Sequence, residues 1–128
     1  MILLDASAAL ALLKGERGQD RVREAVLAGS AITTVNLAEV VGRYVMEGAP
    51  EGSIDRLRAQ LPIRFITLDE EAAILAGRLG RDTRQFGLSL GDRCCLATAK
   101  LKGYPVLTAD RIWQEVGPLI DVDVQLIR

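Results

Sequence analysis

Four carboxylates in this sequence are placed to act together, and no histidine accompanies them. Asp5 directly follows the apolar run Ile2-Leu3-Leu4, and Asp110 lies just past Val106-Leu107. Glu39 falls in the first turns of the helical stretch after a second apolar run, and Asp92 in the first turn of a helix opened by Ser89. In parallel α/β sheets, ligands bind outside the carboxyl ends of the strands, where helices that leave a strand also begin. Asp5, Glu39 and Asp110 therefore share that edge, and Asp92 joins them if the Ser89 helix faces the same way. Carboxylates gathered on one edge repel, so some are protonated or a cation holds them. A site of oxygen donors favours Mg²⁺, Mn²⁺ or Ca²⁺. Such an ion acidifies water and stabilises the charge of phosphodiester attack, chemistry that needs no histidine.

The missing histidine also removes whole classes. Ser-His-Asp and Cys-His catalysis are excluded, as is a His-ligated zinc site. Cys94 and Cys95 are neighbours in an apolar helical run. They cannot form an ordinary bridge with each other and read as buried free thiols.

Each acid has a purely structural reading as well. Ser89-Leu-Gly-Asp92 fits a capping-box variant, and so does Asn36-Leu-Ala-Glu39. Asp110 fits an Asx turn or a cap. Asp5 is the hardest to explain this way. Ser7 is expected to cap the first helix, which leaves Asp5 as an acid at the end of a buried strand, where an unpaired charge is costly.

The elements that must position these residues follow from periodicity and punctuation. Strands are expected over residues 2–4, 31–35, 63–68 and 105–108, with an alternating edge strand over 122–127. Helices are expected from Ser7 to about residue 13, over 19–27, up to residue 46, and from Pro50 to about residue 61. Two more run from residue 70 to about 84, capped by Asp69, and from Ser89 to residue 102; residues 112–116 suggest a single turn. Gly15, Gly29, Gly48 and Gly103 fall at helix ends. Helical crossovers between short apolar strands indicate an α/β fold with a parallel sheet. The 128 residues suit one domain, and with 49% hydrophobic but only 4% aromatic residues the core must be aliphatic. No run reaches the ~20 apolar residues that span a bilayer. The first residues lack a basic leader, so a cytoplasmic protein without membrane contact is expected.

Sixteen basic residues stand against 17 acidic ones. Setting the four acids aside leaves a slightly basic remainder. Arg78, Arg81 and Arg84 recur every three residues near the end of one predicted helix. That stripe reads either as an RNA phosphate contact or as a solvated face that suits the helix dipole. Trp113 reads as core or as a lid, and Tyr44 with Val40 and Val41 as packing or a subunit contact.

Taken in order, Asp5-Ala-Ser7, Thr34 with Glu39, Ser89-Leu-Gly-Asp92-Arg93 and Thr108-Ala-Asp110-Arg-Ile-Trp113 resemble the PIN domain. More narrowly, they resemble the VapC-type toxins of toxin–antitoxin pairs, over nearly the whole chain. The resemblance implies a parallel β-sheet sandwiched by α-helices. It implies Mg²⁺ or Mn²⁺ held by Asp5, Glu39, Asp92 and Asp110, with Ser7 and Thr108 supporting the site through hydrogen bonds. The implied activity is endoribonuclease cleavage of RNA by an activated water. The implied partners are a cognate antitoxin and a second copy of the chain in a homodimer.

Three rivals fit less of the sequence. A phospho-acceptor receiver needs its aspartate after the third strand, where Asp69-Glu70-Glu71 reads as helix capping. A haloacid-type phosphohydrolase needs a second aspartate two residues after the first, where this chain has Ser7. A catalytically silent PIN-like interaction module would keep the fold while losing acids, and all four are present.

Overall fold

The computed structural model describes residues 1–60 and 62–128. Five parallel strands form one sheet in the order β3-β2-β1-β4-β5. They are β1 (Ile2–Leu4), β2 (Ser30–Thr33), β3 (Ile63–Ile66), β4 (Val106–Thr108) and β5 (Val124–Leu126). The helices are α1 (Ala6–Lys14), α2 (Gln19–Ala28), α3 (Thr34–Met46), α4 (Ser53–Gln60), α5 (Glu70–Asp82), α6 (Leu90–Lys102) and α7 (Trp113–Ile120). This is the α/β class expected from the sequence, with a parallel sheet sandwiched by helices.

The central strand shows how three residues organise both faces. Successive side chains of a strand point to opposite sides. Ile2 and Leu4 pack with Ile32 and Leu107 against Ala8, Val22 and Val26 of α1 and α2 and Val40 of α3. Leu3 packs the other way, with Ala31 and Val106, against Leu79 of α5, Leu96 of α6 and Trp113 of α7. A strand covered on both sides is apolar throughout, and all three residues of β1 are buried. Cys94 and Cys95 are buried free thiols, and Trp113 is a fully buried core residue rather than a lid.

Several boundaries differ from expectation, each for a local reason. The first helix is capped by Asp5, not Ser7: the Asp5 carboxylate accepts from the Ala8 amide at 2.8 Å. Strand β2 stops at Thr33 because the Thr33 hydroxyl caps α3, accepting from the Asn36 amide at 3.0 Å. Glu39 is therefore not part of a capping box. The predicted third strand loses its last two residues, and the Leu68 amide is held by the Thr34 hydroxyl at 3.3 Å. Pro50 lies before α4 rather than in its first turn, its carbonyl accepting from the Ser53 hydroxyl at 2.8 Å. The expected end of that helix near Leu61 lies outside the described residues. Helix α5 ends at Asp82, and Arg84–Phe86 forms a separate 3₁₀ turn. Helix α7 runs to Ile120 with Pro118 inside it, well beyond the single turn expected. Strand β5 keeps only the middle of its predicted span.

Candidate active site

The register of the sheet puts Asp5 beside Thr108. Leu4 pairs with Leu107, so the next residues, Asp5 just past β1 and Thr108 at the end of β4, lie side by side. The Thr108 hydroxyl donates to Asp5 Oδ2 at 2.6 Å, and the Ser7 hydroxyl donates to Oδ1 at 2.7 Å. With the Ala8 amide, three donors clamp this carboxylate. The same hydroxyls accept from the loop beyond β4. Ser7 Oγ takes the Ala109 amide at 2.9 Å, and Thr108 Oγ1 takes the Asp110 amide at 3.0 Å. Asp5 and the backbone that carries Asp110 are thus tied through two side chains.

Asp5 is only 5% exposed. Burial pushes its carboxyl up to about 6 from an ordinary value of 3.8. The hydrogen bonds from Thr108, Ser7 and the Ala8 amide oppose that rise, and the Asp92 charge adds to it. Asp92 is raised as well, first by burial; Ser89's two hydrogen bonds and Arg93 lower it, and the charge of Asp110 raises it. The charges of Asp92 and Asp110 thus bear on their neighbours in the cleft, Asp92 on Asp5 and Asp110 on Asp92.

Asp92 sits on α6 in a complete capping box: the Ser89 amide donates to its Oδ2 at 3.0 Å, and its own amide donates to Ser89 Oγ at 3.1 Å. Asp110 makes an Asx turn, accepting from the Ile112 amide at 3.2 Å. The structural readings of both residues are therefore present, and both still line the cleft. Glu39 comes from α3, one turn beyond Asn36, whose side-chain amide donates to Glu39 Oε2 at 2.8 Å.

These acids line a cleft of about 420 Å³ that also includes Ser7, Leu10 and Arg43. Among the described residues, no three acids close on one point tightly enough to ligate an ion directly. The donor chemistry nevertheless fits a hard cation. Mg²⁺ keeps several waters and is commonly held by only one or two carboxylates, so acids that stand back around water-filled space suit it. The buried, raised Asp5 carboxyl is a second fit, because a divalent charge would stabilise the ionised form that burial opposes.

Two features of the cleft were not singled out from sequence. Arg43 lies one helical turn beyond Glu39, on the same face of α3, and supplies the cleft's positive charge. Its guanidinium is 3.8 Å from Glu47, which also pairs with Lys14 at 3.0 Å. Asn36 was read only as part of a capping box, yet it holds Glu39. The i, i+4 spacing of Glu39 and Arg43 could have revealed the first. The i, i+3 spacing of Asn36 and Glu39 allows the second, but the same spacing also fits the capping box, and only Thr33 taking the cap frees Asn36 for this role. Arg78, Arg81 and Arg84 are exposed and do not line the cleft; Arg81 is 3.7 Å from Asp82, and Arg84 lies on the 3₁₀ turn rather than on α5. Arg93 ties α6 to α5 by donating to the Ala76 carbonyl at 2.9 Å. Among the described residues, no helix is long and apolar enough to cross a membrane.

A parallel sheet between helical layers, with acids at the carboxyl edge of its central strands, defines the class of molecule to which this chain is compared. The profile of the PIN domain matches residues 2–118. The chain belongs to the PIN domain family. Solved structures similar to it include VapC toxins and VapBC complexes. A DNA-bound VapBC complex from Salmonella typhimurium superposes with a TM-score of 0.77 at 17% identity, covering 99% of this chain and 98% of that one. VapC20 of Mycobacterium tuberculosis, described as a sarcin-ricin loop cleaving toxin, gives 0.76 at 14% identity, covering 91% and 95%. VapBC-5 of the same organism gives 0.62 at 25% identity, covering 98% and 96%. No curated protein sequence matches this chain significantly.

Proposed function

We propose that this protein is a metal-dependent endoribonuclease of the VapC toxin type, with residues 1–128 acting as a single domain. The observation that carries the reading is the convergence of Asp5, Glu39, Asp92 and Asp110 on one cleft, from β1, α3, α6 and the loop after β4. Asp5 and Asp92 are the principal holders of Mg²⁺ or Mn²⁺, and Glu39 and Asp110 complete the set. When bound, the cation supplies positive charge to the RNA phosphodiester and acidifies the attacking water.

The chain's own groups do the rest. Ser7 and Thr108 fix the orientation of Asp5 at the cleft wall and leave Oδ2 an acceptor site for the cation. Burial keeps water competition at Asp5 low, which strengthens its electrostatic pull on a cation. Arg43 contacts the substrate phosphate and offsets the negative charge of the acids. The Arg78, Arg81 and Arg84 stripe extends RNA contact outside the cleft. In the cell, the protein is a cytoplasmic homodimer held inactive by a cognate antitoxin; the toxin–antitoxin complexes among its structural neighbours support the antitoxin partner alone.

The test is cleavage of labelled total RNA by purified, antitoxin-free protein with Mg²⁺, with EDTA and with the Asp92→Asn variant. Cleavage that requires both the metal and Asp92 is expected. Cleavage that persists in EDTA or in Asp92→Asn would overturn the reading. No cleavage from folded protein that also binds no Mg²⁺ would leave the silent interaction module in its place.

A further inference from the structure

Glu39 differs from the other acids in what holds it. Its carboxylate sits between a buried amide and a bare helix backbone. Asn36 is 1% exposed. Its Oδ1 accepts from the Thr33 hydroxyl at 2.7 Å, and its Nδ2 donates to Glu39 Oε2 at 2.8 Å. A carboxylate only accepts, so the amide nitrogen must face Glu39, and this fixes which way the Asn36 side chain points. The same Nδ2 reaches toward the Gly91 carbonyl on α6 at 3.4 Å. The side chain therefore spans the two helices that carry Glu39 and Asp92.

Gly91 completes the seat. Its backbone is not among the left-handed glycines, so conformational freedom does not explain the residue. Space does: a β-carbon on Gly91 would overlap Glu39 Oε1. The carboxylate occupies the volume that any other residue's side chain would take.

We infer that Asn36 and Gly91 are positioning residues for Glu39, the amide aiming the carboxylate and the missing side chain admitting it beside Asp92. The inference rests on the reading of Glu39 as a cation ligand. Neither residue touches substrate or ion in this arrangement. Partners of this kind hold a metal-binding side chain in place before the metal arrives, and removing one typically weakens metal binding by about 10–100-fold.

Gly91→Ala is the informative change because alanine suits a helix interior better than glycine does, and the atom it displaces is the far end of a flexible side chain. Mn²⁺ binding to the full chain is measured by calorimetry, with thermal midpoints alongside. The Asn36 side-chain amide resonance is followed by ¹⁵N NMR in EDTA. Gly91→Ala is expected to weaken Mn²⁺ by about 10–100-fold, to keep or raise the thermal midpoint, and to shift the Asn36 amide. In a Glu39→Ala background the same change should make no further difference to Mn²⁺ binding. Asn36→Ser, which keeps a hydroxyl but cannot reach Glu39, should weaken Mn²⁺ by a similar factor, and that loss too should vanish in the Glu39→Ala background. Wild-type Mn²⁺ affinity with an unmoved Asn36 resonance in Gly91→Ala would overturn the inference. An equal loss of affinity with and without Glu39 would also overturn it. If the wild-type chain binds no Mn²⁺, the cation reading falls on its own; the Asn36 resonance then decides the positioning, a shift on Glu39→Ala upholding it and no shift refuting it.

Discussion

The two halves of the cleft are built on different principles. The half at the strand ends, Asp5 with Ser7 and Thr108, is closed: the buried acid accepts three hydrogen bonds of 2.6–2.8 Å. The helix-borne half, Glu39 and Asp92, is more open, and each acid there is held from one side, by Asn36 or by the Ser89 cap. The first half resists movement and carries a strained charge. The second is aimed by fewer bonds. A site whose acids do not close on one point is intelligible on this division: one tightly clamped anchor, with Glu39 and Asp92 each aimed at the cleft by a single neighbour and room for water between them.

The comparison breaks most clearly at the anchor. Asp5→Asn is expected to reduce metal-dependent RNA cleavage by more than the roughly 10–100-fold typical of an outer-shell partner, measured as initial rates at saturating Mg²⁺. Asp5→Ala is a poorer probe, because it also removes the cap of α1, worth about 1 kcal/mol.

The anchor's charge predicts a pH dependence of stability in EDTA. The folded carboxyl titrates at about 6, above its ordinary 3.8. The folded state thus holds a proton that the unfolded chain releases between those values. The stabilisation is fully present below about pH 4 and is lost as pH rises through 6, a difference of about 3 kcal/mol. Asp92, also raised, adds in the same direction. Denaturant midpoints of wild type and Asp5→Asn, compared from pH 4 to 8, should shift in the variant's favour over that window and then level off. A constant difference would mean that Asp5 is not strained.

Thr108→Val sharpens the contrast between the halves. It removes a donor to Asp5 and strands the Asp110 amide, and a loss of roughly 10–100-fold in cleavage is expected, with about 1–3 kcal/mol of stability. Thr108→Ser should recover most of both. On the helical half, Ser89→Ala should cost only about 1 kcal/mol, seen as a lower midpoint, with a smaller effect on rate. Smallest of all, Arg43→Glu should weaken RNA binding and lower its salt slope by about 1, whereas Arg78→Glu, outside the cleft, should do less.

The helix-borne acids also show where reading the sequence succeeds and where it stops. The strands and the acids that follow them were legible because a buried β1 is continuously apolar and Asp5 ends it abruptly. The Ser89 capping box was legible because all its parts lie within four residues. The roles of Ser7 and Asp5 were exchanged, since either residue caps a helix well and only the exit from the strand decides between them. Asn36 looked like a cap, with Glu39 as its box partner, until Thr33 took that place. The length of α7 was hidden by Gly117-Pro118, which reads as a stop; burial of Val116, Gly117 and Ile120 overrides that weak local preference. The Gly91 side of the Glu39 seat was hidden altogether, because Asn36 and Gly91 are 55 residues apart.

The Thr108–Asp5 hydrogen bond joins residues 103 positions apart, across the middle of the sheet. On a ribosome, chains emerge from the amino end at about 5–20 residues per second. Asp5 therefore emerges 103 residues ahead of Thr108 and waits for it. Until β4 emerges, β1 lacks one neighbour, Asp5 lacks its shortest hydrogen bond, and Asp110 has no place at the cleft. The chain is assembled with its cleft unfinished until its last strands arrive, so a truncated or stalled product carries the early acid without the site.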